Sequence, residues 1–137
     1  MPILGVGLDV VDVAGFAEQL ADEASGFAAA TFRPAERRNE GTDRERQARH
    51  LAGRFAAKEA FVKAWSSARR GRPPALASDA LDLRDIEVVD DGFGRPGLKL
   101  HGAVCRAVAE LAPSPEAIHL SVSHDGGTAA AVVVLEG

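Results

Sequence analysis

The segment between Asp43 and Ala68 constrains the fold more than any other, because it predicts one long helix that is apolar on nearly all sides. At about 100° per residue, the apolar side chains that share one stripe are Leu51, Ala52, Phe55, Ala56 and Val62. Phe61 and Trp65 cover the opposite side. A helix with this pattern is buried, so the rest of the chain is expected to surround it.

Two charged residues, Glu59 and Lys63, fall within the apolar stripe of this helix. Burying an ion is costly unless it is paired or coordinated. One interpretation is that the two residues pair with each other, since they stand at i and i+4 in the favourable order. An exposed pair of this kind contributes only about 0.3–0.5 kcal/mol, so the other interpretation is a functional site.

The opening segment Ile3–Val11 alternates and predicts a strand with two contrasting faces. The side chains on one face are Leu4, Val6, Leu8 and Val10. The other face carries Gly5, Gly7 and Asp9. Glycines on one face of a strand allow a second backbone or a ligand to approach closely.

Asp9 has two interpretations. It could cap a helix or form a turn, or it could converge with Glu59 as a pair of oxygen ligands. Two carboxylates together with phosphate oxygens and waters suit Mg²⁺, which seldom has an all-protein cage. With Lys63 and Arg54 on the same helix as Glu59, the second interpretation describes a metal-assisted phosphate site.

The rest of the sequence predicts strands and shorter helices around the long helix. Asp12 is expected to cap a helix that ends near Ala24, and Pro34 to begin a short one. The later elements are expected to be strands Leu83–Val89 and Gly97–Leu100, a helix Gly102–Ala112, and a hairpin of Ile118–Ser123 with Thr128–Leu135. This order predicts a single α+β domain over residues 1–137, with a largely antiparallel sheet packed on one long buried helix.

Composition narrows the class of protein. Apolar residues make up 46% and charged residues 26% of the chain, which is typical of a globular protein and argues against intrinsic disorder. Cys105, the single cysteine, excludes an internal disulfide and is expected to be a buried apolar residue. No apolar run approaches the ~18 residues of a membrane span, and the N-terminus lacks the basic region of a signal peptide. We therefore expect a soluble, cytoplasmic protein without a membrane partner.

Charge is distributed unevenly along the chain. The segment Arg33–Arg72 holds ten arginines and two lysines against five acidic residues, a net charge of +7, whereas the remainder carries −11. One interpretation is that this basic segment meets an anionic partner or ligand. The other is that most of its arginines pair with neighbouring glutamates on an exposed helix. A nucleic-acid partner is not expected, because the pI is about 5.5 and no aromatic stacking platform is visible.

The late hairpin contains Ser123 and His124 side by side. Adjacent residues of a strand point to opposite faces, so this pair cannot form a catalytic dyad. His124 is expected either to have a structural role near the sheet edge or to contact an anion.

Four segments in this order resemble a known family. They are the opening ILGVGLDVVDV, the helix LAGRFAAKEAFVKAW, the turn GRP and the late strand HLSVSHD. Together they resemble the holo-[acyl-carrier-protein] synthases, the small single-domain 4′-phosphopantetheinyl transferases. The resemblance covers essentially the whole chain, and its pairing of an early G-x-D with a distant K-E-A-x-x-x-K-A is specific. The Lys-Ala-Trp-Ser variant is similar to the actinobacterial branch.

The resemblance implies a Mg²⁺-dependent transferase of fatty acid biosynthesis. The family moves the phosphopantetheine arm of coenzyme A to a serine of acyl carrier protein and releases 3′,5′-ADP. By the same resemblance, Asp9 and Glu59 hold Mg²⁺ and Lys63 contacts the phosphates. Glu59, directly or through a metal-bound water, is expected to take the proton of the serine hydroxyl.

The resemblance also implies a coenzyme A site built between subunits of a homotrimer. Arg54 and Lys58 are expected to add positive potential for the 3′-phosphoadenosine end, and Ser66 to contact coenzyme A after Lys63. The residues that the neighbouring subunit is expected to supply are Gly94, Arg95, Pro96, Ser123 and His124. Ser66-Ser67-Ala68 stands where many members have Gly-Thr-Gly, so the helix is expected to extend here.

The partner surface departs from the family pattern. Many members carry arginines on the first helix that dock the acidic carrier protein, and this helix has no basic residue. The docking surface is therefore expected within the basic segment, at Arg37, Arg38, Arg44, Arg46 or Arg49. An alternative function is a non-catalytic interaction domain that binds an acidic protein through Arg33–Arg72, with Glu59 and Lys63 as a structural pair. A third is a different nucleotide or phosphate enzyme on the same site.

Overall fold

The computed structural model describes residues 2–37, 43–111 and 117–137. The strands in this part of the chain are β1 (Ile3–Asp12), β2 (Ile86–Asp90), β3 (Pro96–Leu100), β4 (Ile118–Asp125) and β5 (Thr128–Glu136). The α-helices are α1 (Val13–Ala21), α2 (Phe27–Thr31), α3 (Pro34–Arg37), α4 (Arg44–Ala68) and α5 (Gly102–Val108). The α+β class expected from the sequence is confirmed.

Two antiparallel sheets surround α4. The larger has the strand order β1-β5-β4, and the smaller pairs β2 with β3. Helix α4 begins at its N-cap Asp43, whose side chain accepts hydrogen bonds from the backbone N–H groups of Glu45 and Arg46. It runs without interruption to Ala68, so the predicted extension through the two serines is confirmed. Its buried side includes Leu51 and Phe61, both essentially inaccessible to solvent.

The glycine face of β1 packs directly on α4. A Cβ atom at Gly5 would collide with the carbonyl oxygen of Ala64, and one at Gly7 with that of Ala60. The close approach that the glycines allow is therefore made by the helix backbone and not by a ligand. Ser67 Oγ reinforces this contact, because it accepts a hydrogen bond of 3.1 Å from the backbone N–H of β1 residue Val6.

The opposite face of β1 is turned to solvent although it is apolar. Val6, Leu8 and Val10 retain 51%, 59% and 61% of their accessible surface. They pair with half-buried residues of β5 on the same face of the sheet, namely Val134, Val132 and Ala130. The sheet thus has one side sealed by α4 and an apolar side that none of the described residues covers.

Several boundaries differ from expectation because side chains cap or end the elements. Helix α1 ends at Ala21, and a 3₁₀ turn at Glu23–Ser25 follows it. The expected start of β2 forms another 3₁₀ turn, because the Asp82 side chain accepts from the backbone N–H of Arg84. Helix α5 ends at Val108, and residues 112–116 lie outside the described part of the chain.

The expectation for Cys105 was wrong. Helix α5 turns Val104 and Val108 into the core at i and i+4, which leaves Cys105 exposed about 100° away. Within the described ranges, no helix is long and apolar enough to cross a membrane.

Candidate active site

An open cleft of about 470 Å³ brings the two predicted acidic residues together. Asp9 and Glu59 both line it, beside the aromatic rings of Phe16 and Phe55. The local fold explains the meeting: Asp9 follows Gly7, which touches the α4 backbone at Ala60, and Glu59 is the preceding residue of that helix. The same close approach that the glycines allow therefore sets the spacing of the two carboxylates.

Lys63 lies one turn after Glu59 on α4 and forms an ion pair with Asp9. Its Nζ donates hydrogen bonds to Asp9 Oδ1 at 3.0 Å and to the Leu8 carbonyl oxygen at 3.1 Å. The Lys63 side chain is 55% exposed, whereas Asp9 is only 14% exposed. Lys63 is therefore not buried, although it falls within the apolar stripe that the sequence indicates.

The environment of Glu59 disfavours its charged form. Burial raises the pKa of the Glu59 carboxyl, and the negative charge of Asp9 raises it further, while Lys63 lowers it. Two carboxylates that repel each other across a cleft form a donor set to which a divalent cation can bind. No cluster of three or more His, Cys, Asp or Glu occurs among the residues described, so protein groups would supply two oxygen ligands. That number fits Mg²⁺, which keeps waters and takes substrate phosphate oxygens.

Lys58 does not fit its expected role. Its side chain is fully buried, and Nζ donates to Glu36 Oε1 at 2.8 Å, to the Leu83 carbonyl at 2.9 Å and to the Ile86 carbonyl at 2.7 Å. Because an ammonium has three donors, no donor remains for a phosphate. Lys58 therefore joins α4 to α3 and to the start of β2, and we correct its assignment as a coenzyme A ligand.

Arg54 lies away from the acidic cleft. It stands nine positions before Lys63, which places it about half a turn around α4. Its guanidinium donates to His50 Nε2 at 2.8 Å, to the Val88 carbonyl at 2.8 Å and to Asp90 Oδ2 at 3.1 Å. Burial, and then the positive charge of Arg54, lower the pKa of His50. Arg54 therefore belongs to a second polar cluster on the opposite side of the helix.

His124 belongs near this second cluster. Its Nε2 forms a hydrogen bond of 3.0 Å with the Arg49 carbonyl oxygen, and it packs so closely on Gly53 that a Cβ there would lie 2.7 Å from it. Ser123 is exposed on the other face of β4. The two side chains diverge as predicted, and neither lines the cleft that holds Asp9.

The three residues of the GRP turn also lie outside the cleft. Asp91 Oδ1 orders this turn by accepting from the backbone N–H groups of Phe93 at 2.8 Å and Arg95 at 2.9 Å. Gly94 has a φ of 78°, in the left-handed region that favours glycine, and Pro96 begins β3. Arg95 stacks on the exposed ring of Phe93.

Ser66 lines a second cavity, of about 280 Å³, between the end of α4 and the loop that follows it. The sequence reasoning missed this cavity and the aromatic wall of the cleft at Phe16 and Phe55. Both depend on which arc of a helix meets which loop, and periodicity does not carry that information. The signal available for the second cavity was the lone tryptophan, Trp65, beside a loop rich in arginine and proline.

Two carboxylates in one cleft, with a lysine paired to one of them, are typical of a site that binds and transfers phosphate groups, and known proteins agree with this class. The family model of the 4′-phosphopantetheinyl transferase superfamily matches residues 5–132. The holo-[acyl-carrier-protein] synthases of Mycobacterium ulcerans and Mycobacterium tuberculosis are each 47% identical to the chain over 136 residues, covering 99% of this chain and 98% of the relative.

Solved structures show the same fold. A Chronobacterium ammoniagenes ACPS-CoA complex matches with a TM-score of 0.85 at 42% identity, over 98% of this chain and 97% of that one. The acyl carrier protein synthase of Mycobacterium tuberculosis matches with a TM-score of 0.75 at 43% identity, over 98% of both chains. A Bacillus anthracis synthase in complex with CoA (3′,5′-ADP) matches at 0.67 and 29%, over 97% and 96%.

The chain therefore belongs to the 4′-phosphopantetheinyl transferase superfamily and, within it, to the holo-[acyl-carrier-protein] synthases, which are enzymes. The resemblance stated from the sequence is confirmed, and the mycobacterial relatives agree with an actinobacterial branch. Membership of an enzyme family contradicts the alternative of a non-catalytic interaction domain.

Proposed function

We propose that this protein transfers the 4′-phosphopantetheine arm of coenzyme A to a serine hydroxyl of acyl carrier protein and releases 3′,5′-ADP. The observation that carries the proposal is the convergence of Asp9 and Glu59 in one cleft, with Lys63 paired to Asp9. Relatives that are 47% identical to this chain are named holo-[acyl-carrier-protein] synthases. Phosphoryl transfer depends mainly on positioning and on neutralising charge, and this cleft supplies groups for both.

Each residue of the cleft has a separate role in the proposed reaction. Asp9 and Glu59 would hold Mg²⁺, which when bound neutralises the diphosphate of coenzyme A. Lys63 Nζ, held 3.0 Å from Asp9 Oδ1, is exposed enough to contact phosphate oxygens and to stabilise the charge of the departing 3′,5′-ADP. The serine oxygen forms the new bond to the phosphorus that carries pantetheine, and the bond from that phosphorus to the 3′,5′-ADP oxygen breaks. Glu59, directly or through water, accepts the serine proton.

The proposal is tested by the intact mass of apo acyl carrier protein after incubation with this protein, coenzyme A and Mg²⁺. We expect the mass to increase by one phosphopantetheine unit, and EDTA to prevent the increase. If a folded sample that binds coenzyme A leaves several carrier proteins unchanged, the proposal is wrong.

We further propose a homotrimer in which the uncovered face of the larger sheet is the subunit interface. The support is the apolar stripe of Val6, Leu8 and Val10, which continues onto β5. Association would also allow a neighbour to supply groups that lie outside the cleft of their own chain, namely Arg54, Gly94, Arg95, Pro96, Ser123 and His124. These residues are the proposed contacts for the nucleotide end of coenzyme A.

Substitution within this stripe tests the interface. Leu8→Asp places a charge at the centre of the stripe and is expected to produce monomers by light scattering and to abolish transfer. Ala24→Asp, at an exposed position of a 3₁₀ turn, is the matched control and should remain trimeric. A wild-type protein that is monomeric and fully active would overturn this proposal.

The proposed docking surface for the carrier protein is the first part of α4. Arg44, Arg46 and Arg49 are exposed there, whereas α1 carries no basic residue. Arg37 lies nearby in the chain at the end of α3, and Arg38 is outside the described residues. Reversing charge at Arg44 and Arg46 should raise KM for carrier protein and leave KM for coenzyme A unchanged, because charged rims steer association.

A control for the docking surface is Arg106→Glu, which reverses an exposed charge on α5 outside the basic segment. It should change neither KM. If Arg106→Glu and the double reversal on α4 had the same effect, the response would reflect net charge alone and this docking surface would be excluded.

A further inference from the structure

Strand β1 and helix α4 meet along a contact that has no interlocking side chains. The strand residues against the helix are Gly5 and Gly7, which lie on the carbonyl groups of Ala64 and Ala60. This contact sets the separation of the two elements, because their backbones touch directly. Glycine has no Cβ to interdigitate with the helix, so the position of the strand along the helix axis has to be set by other bonds.

Two side chains of α4 hydrogen-bond to the backbone of β1 within the described ranges. Ser67 Oγ accepts from the Val6 N–H at 3.1 Å, and its own proton lies within reach of the carbonyl oxygens of Val6 at 3.3 Å and Ala64 at 3.0 Å. Lys63 Nζ donates to the Leu8 carbonyl oxygen at 3.1 Å. Alternate residues of a strand direct their backbone groups to the same edge, so both bonds act on one edge of β1.

The two bonds form a ladder whose steps match in length. One step covers four residues of α4, from Ser67 to Lys63, or about 6 Å at 1.5 Å per residue. On β1 the same step covers two residues, or about 6.6 Å at roughly 3.3 Å per residue. One further step reaches Glu59 on the helix and Val10 on the strand, and both line the acidic cleft. The ladder therefore aligns the strand that carries Asp9 with the helix that carries Glu59.

Strand β1 transmits a shift at Val6 to Asp9. Its pairing with β5 is regular from Gly5 to Asp12, and the irregularity in this pairing lies before that stretch, between Ile3 and Gly5. No bulge within the regular stretch absorbs a displacement. Misplacing a reacting group by about 1 Å lowers a rate by as much as about 10²-fold, so a small slide of β1 matters to the site.

The Lys63 bond cannot hold this alignment during the proposed reaction. Its side chain is 55% exposed, and contact with phosphate oxygens would draw Nζ away from the Leu8 carbonyl. The Ser67 hydroxyl is already engaged with backbone groups of both elements. Among the described residues, Ser67 is then the side chain of α4 that still bonds to the β1 backbone when Lys63 turns to a substrate.

We infer that Ser67 is a positioning residue of the acidic site, whose hydroxyl fixes β1 along α4 so that Asp9 and Glu59 keep the spacing that a divalent cation requires. The inference rests on the proposed function, because it takes these two carboxylates as metal ligands. The alternative is a local role, in which the bond to the Ala64 carbonyl serves only the last turn of α4. The two roles predict different responses to metal.

Three substitutions separate the two roles. Ser67→Ala removes the hydroxyl, whereas Ser67→Thr keeps it and has room for the extra methyl group because Ser67 is exposed. Ser25→Ala is the matched control. The Ser25 hydroxyl also bridges backbone groups, since it donates to the Asp22 carbonyl at 2.8 Å and accepts from the Phe27 N–H at 3.2 Å, and Ser25 does not line the cleft.

Metal binding is measured on the full chain without substrate. Mn²⁺ takes the same carboxylate and water ligands as Mg²⁺, and the free ion is counted by electron paramagnetic resonance. Ser67→Ala should raise the Kd for Mn²⁺ about tenfold, the low end for residues that orient metal ligands. Ser67→Thr and Ser25→Ala should keep the wild-type Kd. In transfer assays Ser67→Ala should also lower kcat and raise the apparent KM for Mg²⁺, while KM for carrier protein stays unchanged.

The thermal transition of each variant distinguishes loss of folding from loss of metal. Val6 is exposed, so water can replace the Ser67 hydroxyl at its backbone groups, and Ser67→Ala should unfold near the wild-type temperature. If Ser67→Ala does not fold, Ser67→Cys replaces it, since a thiol fills the site and is a weak hydrogen-bond donor. That variant must then show the loss of Mn²⁺ affinity.

The outcomes separate this inference from the proposed function. If the wild-type protein binds Mn²⁺ and transfers no phosphopantetheine, the proposed function fails, and the Mn²⁺ titrations still decide the role of Ser67. If the wild-type protein is active and Ser67→Ala keeps the wild-type Kd for Mn²⁺, the function stands and the inference is wrong. Equal losses in Ser67→Ala and Ser25→Ala, no recovery in Ser67→Thr, or a wild-type protein that binds no Mn²⁺ would also overturn the inference.

Discussion

Lys58 and Lys63 stand five positions apart on the same helix and have different roles, one structural and one functional. Lys58 is fully buried, and each of its three donors has an acceptor inside the protein. Lys63 is more than half exposed and sits beside two carboxylates whose charges are not balanced. A saturated ammonium is part of the scaffold, whereas an exposed one beside an acidic cleft is available to a substrate. The comparison shows that donor saturation, and not residue type, separates structural from functional charge here.

The largest expected effect is on catalysis by Asp9, Glu59 and Lys63. Glu59→Gln removes the proposed metal ligand and base at nearly constant volume, so kcat should fall by about 10²–10⁴-fold. Folding should be little affected, since the change also removes the repulsion between Glu59 and Asp9. Steady-state transfer assays combined with thermal unfolding measure the two effects. A Glu59→Gln variant with the wild-type kcat would show that the residues around Lys63 are no more catalytic than those around Lys58.

The second prediction concerns the contribution of the buried pair Lys58 and Glu36 to stability. Lys58→Met leaves the Glu36 carboxylate buried without its partner, which should reduce the free energy of unfolding by about 3 kcal/mol or more. Lys63→Met removes a half-exposed pair and should cost about 1 kcal/mol or less. Urea unfolding measures both changes in the free energy of unfolding. In transfer assays on the folded fraction, Lys63→Met should lose more activity than Lys58→Met. If Lys63→Met were the more destabilising change, the assignment of roles would be reversed.

The third prediction tests how the backbone spaces the acidic pair. Gly7→Ala would push a methyl group into the Ala60 carbonyl and separate β1 from α4. Overpacking of this kind should cost about 1–3 kcal/mol and lower kcat as well, because Asp9 moves with the strand. Gly92→Ala is the matched control, since a Cβ there meets nothing within 4 Å. Comparable losses in both variants would show that the β1–α4 contact is not special.

The smallest expected effect is a pH dependence from the second polar cluster. His50 accepts a hydrogen bond from Arg54, and burial together with the Arg54 charge lowers the pKa of His50 below its usual 6.5. As the pH falls through 6.5, the unfolded chain binds a proton at this site before the folded chain does, so stability decreases. Unfolding free energies measured from pH 7.5 to pH 5.5 should fall less steeply for His50→Gln than for wild type. Identical slopes would exclude this contribution, since His101, His119 and His124 are present in both proteins.

Much of the fold could be predicted because local signals agree with it. The alternation of Ile3–Val11, the periodicity of the helix between Asp43 and Ala68 and the hairpin of Ile118–Ser123 with Thr128–Leu135 each specify an element that the structure contains. The boundaries that failed are those where a short-range hydrogen bond decides, as at Asp82. Such bonds compete with strand pairing over two or three residues, a scale that periodicity does not resolve.

The candidate site was only partly accessible from the sequence. Asp9 and Glu59 stood out because each is charged on a face that otherwise lacks polar groups, and the structure brings them into one cleft. Lys58 carried the same charge on the same helix and was assigned to the wrong class. Its three acceptors come from segments 22 to 28 residues away in the chain. No pattern within the helix indicates that they lie there.

The sequence by itself determined the elements, the α+β class and the family motif, because those depend on periodicity, caps and the order of residues along the chain. Only the tertiary structure decided which face of β1 is inside, which lysine is buried and where the cavity beside Trp65 lies. The physical reason is that a helix repeats every 3.6 residues whatever surrounds it. Burial and hydrogen-bond partners are set by the neighbours that pack on each arc, and those neighbours are distant in the chain.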